Sequence, residues 1–264
     1  MSEVPITCFN DVTLLITHYN RTDSLERLLT TFKSLNCSFE NIVVSDDGSN
    51  KDNIKKLNKL QELFSFKLIE TDINKGLGNN INKGQDAVNT EYTLYVQEDF
   101  IPKPAFLKHF NDALNIMKED KYWDLISLYS YSPYPYLKPY KLGFSEKIFK
   151  PQLWFTDNLK FYFYGDHPHL RYSNFFKKFG RYIEGANGDK TELDMSLSFI
   201  KNKGRALFYN DHYGLLEQIN SQNEPSTAVF RRTWSSESSF LYRNLKAIYL
   251  KYKFILLNIK LFMK

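Results

Sequence analysis

The sequence predicts an α/β protein built around a mostly parallel, Rossmann-like sheet with helices on both faces. Short apolar runs alternate with amphipathic stretches through about residue 120, joined by brief connections, which is the pattern of a doubly wound sheet. Two of the apolar runs end abruptly in paired carboxylates, Asp46-Asp47 and Glu98-Asp99. Because parallel strands bring their carboxyl ends to one edge of the sheet, where ligands of this architecture bind, we expect the functional site at that edge.

The elements of the first half follow from hydrophobic periodicity. Val12–Thr17 is a short apolar run and is predicted to be the first buried strand. Apolar residues at helical spacing predict a helix over Asp23–Leu35, and Asp23 with Glu26 three residues later resembles a capping box at its start. The same reasoning predicts, in order, a strand at Asn41–Ser45, a helix at Lys51–Phe64, a strand at Lys67–Glu70, a helix at Gly76–Val88, a strand at Tyr92–Gln97, a helix at Pro104–Glu119 and a strand at Asp124–Tyr131.

The second half is less regular. Prolines punctuate a tyrosine-rich stretch after Ser132, so we expect long loops or a hairpin there. Further along, Thr191–Lys203 is predicted to be helical and Arg205–Tyr209 to be a strand.

Composition is that of an ordinary globular protein, with 42% hydrophobic and 25% charged residues. Cys8 and Cys37 lack metal-ligand spacing, which favours a reducing compartment. Met1–Asp11 lacks the pattern of a signal peptide, and there is no run of 18 apolar residues, so we expect a cytoplasmic location. The net charge of +5 is concentrated at the C-terminal end without a recognition motif, so no nucleic-acid partner is expected.

The last segment, 236–264, is predicted to be a basic amphipathic helix. No acidic side chain follows Glu237, whereas lysines recur to the end of the chain. We expect residues 243–264 to make peripheral contact with the inner face of the cell membrane; the alternative is packing on the same domain or on a second subunit. The predicted apolar face consists of Leu245, Ile248, Tyr249, Tyr252, Ile255, Leu256, Ile259 and Met263.

Polar residues at the strand ends could form a cleft for a nucleotide. Thr17–Arg21 follows the first strand at the same edge as Asp46-Asp47, where a carboxylate could accept a hydrogen bond from a pyrimidine N–H. Taken singly, these residues could equally shape turns and cap helices. Asn74–Asn80 is a glycine-rich turn before a helix, through which backbone can approach a phosphate or ribose. Glu98-Asp99 supplies the hard oxygen ligands that a divalent ion on a diphosphate needs; exposed loop acids are the alternative.

Together these motifs resemble glycosyltransferase family 2 in order and spacing: Thr17-x-Tyr19-Asn20, Val44-x-Asp46-Asp47-Gly48-Ser49, Asn74-x-Gly76 and Glu98-Asp99. The resemblance covers residues 11 to about 105 closely and reaches about residue 215 more loosely. It implies the GT-A fold, with a nucleotide-binding half at 11–130 and an acceptor half at 131–235 within a domain at 1–235. It also implies an inverting, metal-dependent enzyme that uses a nucleoside diphosphate sugar.

The resemblance assigns roles to individual residues of the first half. Thr17, Tyr19 and Asp47 would contact the nucleotide base, Glu98 would lie near the ribose, and Asp99 would bind Mn²⁺ or Mg²⁺. The matching positions Asn20, Asn74 and Gly76 would complete the donor site. Gln97-Glu98-Asp99 departs from the Asp-x-Asp that is usual in the family, which puts the ribose role of Glu98 in doubt.

The second half is implied to supply the catalytic base. Thr191-Glu192 resembles the acidic dipeptide that opens a helix in the family, which makes Glu192 the base and Asp194 the reserve candidate; helix N-terminal acids without a catalytic role are the alternative. His212 resembles the late histidine that completes the metal site. Other residues of this half are interpreted as follows: Asp166–Arg171 as acceptor-site lining, Trp154 and Tyr164 as sugar-stacking platforms, and Arg231 and Arg232 as groups that could reach the donor diphosphate.

The sequence therefore predicts a glycosyltransferase that moves a sugar, from a UDP-sugar by preference, to a hydroxyl of a glycan or lipid-linked glycan. Assembly of bacterial surface polysaccharide is the setting that the family implies. Two alternatives remain open: a non-catalytic nucleotide- or glycan-binding relative, favoured by the departure at Gln97-Glu98-Asp99, and a nucleotidyltransferase. The second would need a basic glycine-rich signature near the N-terminus, which Thr17–Arg21 lacks.

Overall fold

The computed structural model describes residues 5–220, Glu224 and residues 240–262. The strands are β1 (Thr7–His18), β2 (Cys37–Asp46), β3 (Lys67–Ile69), β4 (Tyr92–Gln97), β5 (Phe100–Pro102), β6 (Leu125–Ser127), β7 (Leu137–Pro139), β8 (Phe144–Lys147), β9 (His169–Tyr172), β10 (Ala206–Tyr209) and β11 (Leu216–Gln218). The helices are α1 (Thr22–Ser34), α2 (Lys51–Phe64), α3 (Leu77–Asp86), α4 (Phe106–Glu119), α5 (Phe175–Phe179), α6 (Gly188–Lys201) and α7 (Phe240–Phe262), with a 3₁₀ helix at Asn158–Phe161.

Nine strands form one sheet in the order β3-β2-β1-β4-β9-β6-β10-β8-β7. β1 pairs in parallel with β2 and β4, β2 with β3, and β10 with β6. β9 runs antiparallel between β4 and β6, and β8 runs antiparallel to its neighbours β10 and β7. The predicted mostly parallel sheet is confirmed, and the inserted antiparallel strand β9 is a feature that the periodicity did not indicate.

The alternation of side chains along β1 explains why helices cover both faces of the sheet. Leu14 and Ile16 point into a core shared with α1 and α4, whereas Leu15 between them points into a second core shared with α3 and α6. Successive side chains of a strand face opposite sides, so an uninterrupted apolar run is buried on both faces. The two cores make the three-layer arrangement that the sequence predicts.

The N-terminus of α1 is capped differently from the sequence prediction. Neither Asp23 nor Glu26 forms a capping box: the N-cap residue is Arg21, without a side-chain cap. Instead, the carboxylate of Glu224 accepts hydrogen bonds from the backbone N–H of Asp23 and of Ser24, at 2.9 and 2.8 Å. A carboxylate at a helix N-terminus satisfies donors that have no partner within the helix. Glu224, 200 positions away from Ser24 in sequence, therefore caps the helix in place of the predicted local capping box.

The irregular region contains the expected hairpin, formed by β7 and β8. A second small sheet pairs β11 with β5 in antiparallel register, so that Gln218 lies opposite Phe100 next to Asp99. This pairing carries the chain of the second half back to the end of β4. The strand expected over Asp124–Tyr131 is shorter than predicted, because only Leu125–Ser127 pairs with neighbours.

Helix α7 docks on the domain through one of its faces. Phe254, Leu257 and Leu261 pack with residues of the 3₁₀ helix and of α6. The amphipathic character predicted for this segment is therefore present, although the docked face is different from the predicted apolar face. Across the described ranges, no helix is both long and apolar enough to span a bilayer.

Candidate active site

A hydrogen-bond network joins the ends of β1 and β2 at the predicted edge of the sheet. The Nδ1–H of His18 donates to Asp46 Oδ1 at 2.7 Å, because Nε2 of the same ring accepts from the backbone N–H of Arg21 at 3.2 Å. Ser49 donates to Asp46 through both its backbone N–H and its hydroxyl. Burial alone would raise the pKa of Asp46, but the bonds from His18 and Ser49 outweigh it and hold the pKa below its ordinary value.

Asp47 fixes the glycine-rich turn that precedes α3. Its carboxylate accepts from the backbone N–H of Lys75 at 2.9 Å and of Gly76 at 2.8 Å, while Asn74 Oδ1 also accepts from Gly76. Burial raises the pKa of Asp47 in spite of these donors. The predicted donor residues Asp47, Asn74 and Gly76 are thus brought together, and Asp47 holds the turn in place at the sheet edge.

Gly48 is required where the β2–α2 connection passes this turn. Its φ is +73°, and a Cβ there would lie 2.4 Å from the backbone carbonyl carbon of Ile73 and 2.6 Å from the backbone N of Asn74. Gly48→Ala is expected to lower the free energy of unfolding by about 2–4 kcal/mol, because strain and a backbone clash combine. Gly185→Ala is the matched control, since Gly185 has φ +70° and nothing within 4 Å of its would-be Cβ.

In urea unfolding, the Gly185 variant should lose only about 1–2 kcal/mol of unfolding free energy, the cost of giving alanine a positive φ. Equal losses in the two glycine variants would contradict the close approach of the β2–α2 connection to the turn at residues 73–74.

Asn20 connects the two loops that follow β1 and β2. It adopts a left-handed conformation with φ +55°, its backbone N–H donates to Ser49 Oγ at 2.8 Å, and its Oδ1 accepts from the backbone N–H of Asn50 at 2.8 Å. Thr17 Oγ1 lies 3.1 Å from the hydroxyl of Tyr95 on β4, and Tyr19 is half-buried beside them. These contacts place Thr17, Tyr19 and Asn20 at the predicted edge, with the Asn20 side chain occupied in holding the loops together.

Glu98 and Asp99 are buried at the end of β4 against Arg21. The Arg21 guanidinium donates from Nη1 to Asp99 Oδ2 at 2.9 Å, with Glu98 Oε1 3.6 Å away, and from Nη2 to Asn220 Oδ1 at 2.7 Å. Gln218 also donates to Asp99 Oδ2, at 2.8 Å. Burial and the neighbouring charge of Asp99 raise the pKa of Glu98 to about 8, although Arg21 acts to lower it.

Asp99 retains one oxygen that could hold a metal ion. Its Oδ1 is buried and has no hydrogen-bond partner within the described part of the chain, whereas Oδ2 is taken by Arg21 and Gln218. A buried carboxylate oxygen with free lone pairs suits Mg²⁺ or Mn²⁺, which prefer hard oxygen ligands. The ring of His212, half-buried after β10, contacts Phe208 and Tyr213. That His212 binds the same metal ion as Asp99 stays a prediction.

A second acidic group lies where α6 meets the loop before β9. One possible ligand atom from each of Asp166, His167 and Glu192 lies within 4.8 Å of the others. Burial and then Asp166 raise the pKa of Glu192 to about 9, and burial raises the pKa of Asp166 to about 6, with a hydrogen bond between the two carboxyl groups. Asp194 is exposed. Of the two predicted base candidates, the structure brings only Glu192 into this group.

The two acidic groups are connected by contacting side chains. Gln218, held by Asp99, accepts a hydrogen bond from the hydroxyl of Tyr131. The Tyr131 ring lies edge-on to the His167 ring, with 4.6 Å between centroids, and His167 belongs to the second group. These contacts run from the end of β4 to the start of α6, so the two acidic groups are neighbours at this edge of the sheet. Sequence reasoning missed Tyr131 and Gln218, because only the β5–β11 pairing brings them to Asp99.

Lys147 is a buried cation next to the second acidic group. Its buried ammonium donates to Ser127 Oγ at 2.9 Å and to the carbonyl of Phe163 at 3.0 Å. Burial lowers the pKa of Lys147 to about 7, while the charge of Glu192 acts in the opposite direction. Burial, with Lys147 adding to it, lowers the pKa of His167 to about 4. His167 is therefore neutral near pH 7, as a metal ligand or a hydrogen-bond acceptor must be.

The two predicted sugar-stacking residues, Tyr164 and Trp154, differ in their exposure to solvent. Tyr164 is fully buried, with contacts to His169, Phe175 and Tyr182, so its prediction as a platform is wrong. Its ring is part of the second core. The predicted acceptor lining Asp166–Arg171 is wrong in part for the same reason, because His169, Leu170 and Arg171 are buried in β9. Trp154 is 76% exposed and remains available to a ligand. Arg231 and Arg232 lie outside the described residues.

Comparison with known proteins identifies a family and a set of relatives that match part of the chain. The model of glycosyl transferase family 2 matches residues 13–180. The poly-beta-1,6-N-acetyl-D-glucosamine synthase of Staphylococcus aureus strain MSSA476 is 26% identical over 90 residues, which are 34% of this chain and 22% of that protein. The synthase of Staphylococcus epidermidis is 22% identical over the same length and coverage. The match thus spans about a fifth of these curated relatives.

Solved structures resemble a larger part of the chain. Residues 1–349 of TarS from Staphylococcus aureus, solved in complex with UDP-GlcNAc, align with a TM-score of 0.60 and 16% identity, covering 83% of this chain and 62% of that one. The mannosyltransferase PcManGT from Pyrobaculum calidifontis, solved with GDP-Man and Mn²⁺, aligns with a TM-score of 0.54 and 14% identity, covering 83% and 60%. At these identities, the likeness establishes a shared fold.

Proposed function

The chain belongs to glycosyltransferase family 2, and from that premise we propose that it transfers a sugar from a nucleoside diphosphate sugar to a hydroxyl group with inversion. The observation that carries the proposal is the chain of contacts through Gln218, Tyr131 and His167 that joins the Glu98-Asp99 pair to Asp166 and Glu192, so that both pairs would border one cleft. The first pair suits a nucleotide and a cation, and the second suits removal of a proton from an acceptor.

The donor is proposed to be a UDP-sugar that lies along the edge formed by β1, β2 and β4. Thr17, Tyr19 and Asp47 would contact the base, and Glu98 would lie near the ribose. The remaining donor residues, Asn20, Asn74 and Gly76, would act by shaping the loops, as their hydrogen bonds indicate. TarS, solved with UDP-GlcNAc, and PcManGT, solved with GDP-Man, share the fold. TarS aligns with the higher TM-score of the two, so a uridine nucleotide is the first to test.

Asp99 is proposed to hold Mn²⁺ or Mg²⁺ through its unpartnered Oδ1, with His212 as a further ligand. When bound, such an ion would offset the negative charge of the diphosphate leaving group. Arg21 already provides one positive charge at the same carboxylate and is 4% exposed. This chain's own contribution is therefore to hold the Asp99 carboxylate in place through Arg21 and Gln218, which leaves its second oxygen for the ion.

Glu192 is proposed to be the general base. As the acceptor oxygen attacks C1 of the donor sugar, its O–H proton passes to the Glu192 carboxylate, and the bond from C1 to the diphosphate oxygen breaks. Attack on the face opposite the leaving group inverts C1. Burial and Asp166 raise the pKa of Glu192 to about 9 in the free cleft, so its carboxylate is a strong proton acceptor once ionised.

The acceptor is proposed to be a glycan or lipid-linked glycan of a bacterial surface polysaccharide. Its site would be bordered by Asp166, His167 and Trp154, in the acceptor half at 131–235, while 11–130 would hold the donor. A lipid-linked acceptor is met at a membrane, so a cytoplasmic protein peripheral to the inner face of the cell membrane is part of the proposal. The polysaccharide synthases that match 90 residues of this chain are consistent with this setting.

A donor-hydrolysis screen tests the proposal. The protein is incubated with UDP-, GDP- and dTDP-sugars and Mn²⁺, and released nucleoside diphosphate is measured by mass spectrometry. We expect one donor to be hydrolysed, with the rate falling by about 10²-fold or more in Asp99→Asn, because that variant keeps the shape of the side chain but loses its charge. Glu62→Gln is the control, since Glu62 is exposed and lies at the end of α2 that is remote from the loop after β2.

Isothermal titration with UDP, GDP and dTDP separates the remaining outcomes. Binding of one nucleotide, strengthened by Mn²⁺, with no turnover on any donor or glycan acceptor would favour the non-catalytic relative. Absence of nucleotide binding in the wild-type protein would overturn the proposal.

A further inference from the structure

Helix α7 is apolar on two faces, and the domain covers only one of them. Leu257 is 3% exposed and packs with Phe161 of the 3₁₀ helix and Leu197 of α6, and Phe254 and Leu261 complete this docked face. Lys253 strengthens the attachment, since its ammonium donates to the hydroxyl of Tyr162 at 2.9 Å. These contacts fix the helix on the domain and determine which side of it faces outward.

The outward side carries large hydrophobic side chains along its whole length. They recur at spacings of three and four residues, so they form one continuous stripe on the helix. Each is between 37% and 68% exposed. We call this stripe the outer face; it consists of Leu245, Ile248, Tyr249, Tyr252, Ile255, Leu256, Ile259 and Phe262. Met263 lies outside the described residues. A contiguous apolar surface of this kind on a folded domain marks an interaction site.

The charges beside the outer face are all positive. Lys246, Lys253 and Lys260 recur every seven residues, so they lie on one line along the helix between the docked face and the outer face. Lys251 adds a further exposed charge, and there is no acidic residue in 240–262. An apolar stripe with lysines at its border matches the boundary between anionic headgroups and acyl chains, because lysine side chains extend past apolar surface to reach phosphate.

We infer that the outer face of α7 docks on the surface of a bilayer that contains anionic phospholipid, with Lys246, Lys251 and Lys260 facing the headgroups. A second copy of the chain fits less well, because a symmetric contact through the same face would bring rows of lysines together with no acid on either helix. The choice of a membrane among anionic surfaces rests on the proposed lipid-linked acceptor.

The position of α7 connects this surface to the cleft. Helix α6 carries Glu192 in the second acidic group, while its next residue Leu193 and Leu197 pack in the cluster that contains Leu257 of α7. The outer face therefore lies one helix away from the proposed base. A glycan attached to a lipid in the same bilayer would have only the thickness of this helix pair to cross, about 20 Å.

Vesicle co-sedimentation of the full chain tests the inference. Binding is compared on vesicles of phosphatidylcholine alone and of phosphatidylcholine with phosphatidylglycerol, at low and high salt. We expect binding to the anionic vesicles only, weakened by salt. Replacing Lys246, Lys251 and Lys260 by glutamine should weaken it by roughly fivefold for each lysine removed. The matched control replaces three exposed lysines of α2 in the same way and should bind as wild type: Lys51, Lys55 and Lys59.

A second variant tests the apolar stripe, with Ile248, Tyr252 and Ile255 each replaced by serine. It should lose vesicle binding at least tenfold while hydrolysing soluble donor at the wild-type rate, which separates failure of the docking from failure of the proposed function. Sedimentation velocity in buffer tests the alternative that a second copy of the chain covers the outer face. Equal binding of wild type and both variants to anionic vesicles would overturn the inference. So would a wild-type dimer that does not bind vesicles and that the serine variant converts to monomer.

Discussion

Glu192→Gln is expected to lower kcat for sugar transfer by a factor of about 10²–10⁴, with a much smaller change in the KM of the donor. Glutamine keeps the size and hydrogen-bonding shape of the side chain but cannot take the proton of the acceptor hydroxyl. The effect is expected in the chemical step, because Glu192, which lies in the group with Asp166 and His167, is proposed to take the acceptor proton and not to bind the donor. Initial-rate kinetics with saturating acceptor measures it.

Asp194→Asn provides the matched control on the same helix. Asp194 is exposed two residues further along α6, so its variant should transfer sugar within about twofold of wild type. Asp166 must be tested beside it, since its carboxyl group is hydrogen-bonded to that of Glu192. If Asp166→Asn abolishes transfer while Glu192→Gln retains it, the base is Asp166, and the role assigned to Glu192 is wrong.

Arg21→Met is expected to lower the free energy of unfolding by about 3–5 kcal/mol in the absence of divalent ions, because it leaves buried carboxylates without their counter-charge. Arg21 and Asp99 are each 4% exposed, and Glu98 lies 3.6 Å from the same guanidinium nitrogen. Chemical denaturation in the presence of a chelator measures the loss. Arg205→Met is the matched control: its pair with Glu146 is half-exposed and long, at 3.7 Å, so its loss should stay below about 1 kcal/mol.

The loss in Arg21→Met should depend on pH through Glu98. Burial and Asp99 raise the pKa of Glu98 to about 8, above its value in an unfolded chain. The folded protein therefore binds more protons than the unfolded chain between those two pKa values, and the Glu98 contribution to stability falls as pH rises through that window. Without Arg21 the pKa of Glu98 rises further, so the variant should lose more stability at about pH 8.5 than at about pH 5.5. An equal loss at both pH values would contradict this assignment.

The sequence alone could locate those helices and strands that are determined by residues close to one another in the sequence. α2 and β4 occupy the predicted residues Lys51–Phe64 and Tyr92–Gln97, since each combines a clear apolar period with polar breaks at both ends. The donor edge was predictable for a similar reason: the residues after β1, β2 and β4 are brought together by parallel pairing alone. The Glu98-Asp99 pair is accordingly buried at that edge.

The remaining parts depend on contacts between residues far apart in sequence, which leave no periodic pattern. β9 pairs with β4 and β6 across gaps of more than 40 residues, and Gln218 reaches Asp99 only because β11 pairs with β5. Glu224 caps a helix that begins 200 residues earlier. The exposed outer face of α7 was predictable as an apolar stripe, but the docked face opposite it required the fold of the 3₁₀ helix and α6.

The insertion of β9 has a consequence for the order in which the chain folds. Residues 7–97 form β1 to β4 through local parallel units, whereas the far side of β4 is covered only when His169–Tyr172 arrives. Until then β4 presents an open edge of unpaired backbone N–H and C=O groups between apolar side chains, and such an edge can pair with other incompletely folded chains. During synthesis about 70 residues separate the end of β4 from the start of β9. The ribosome-bound chain that contains β4 but not yet β9 is therefore the state most exposed to aggregation.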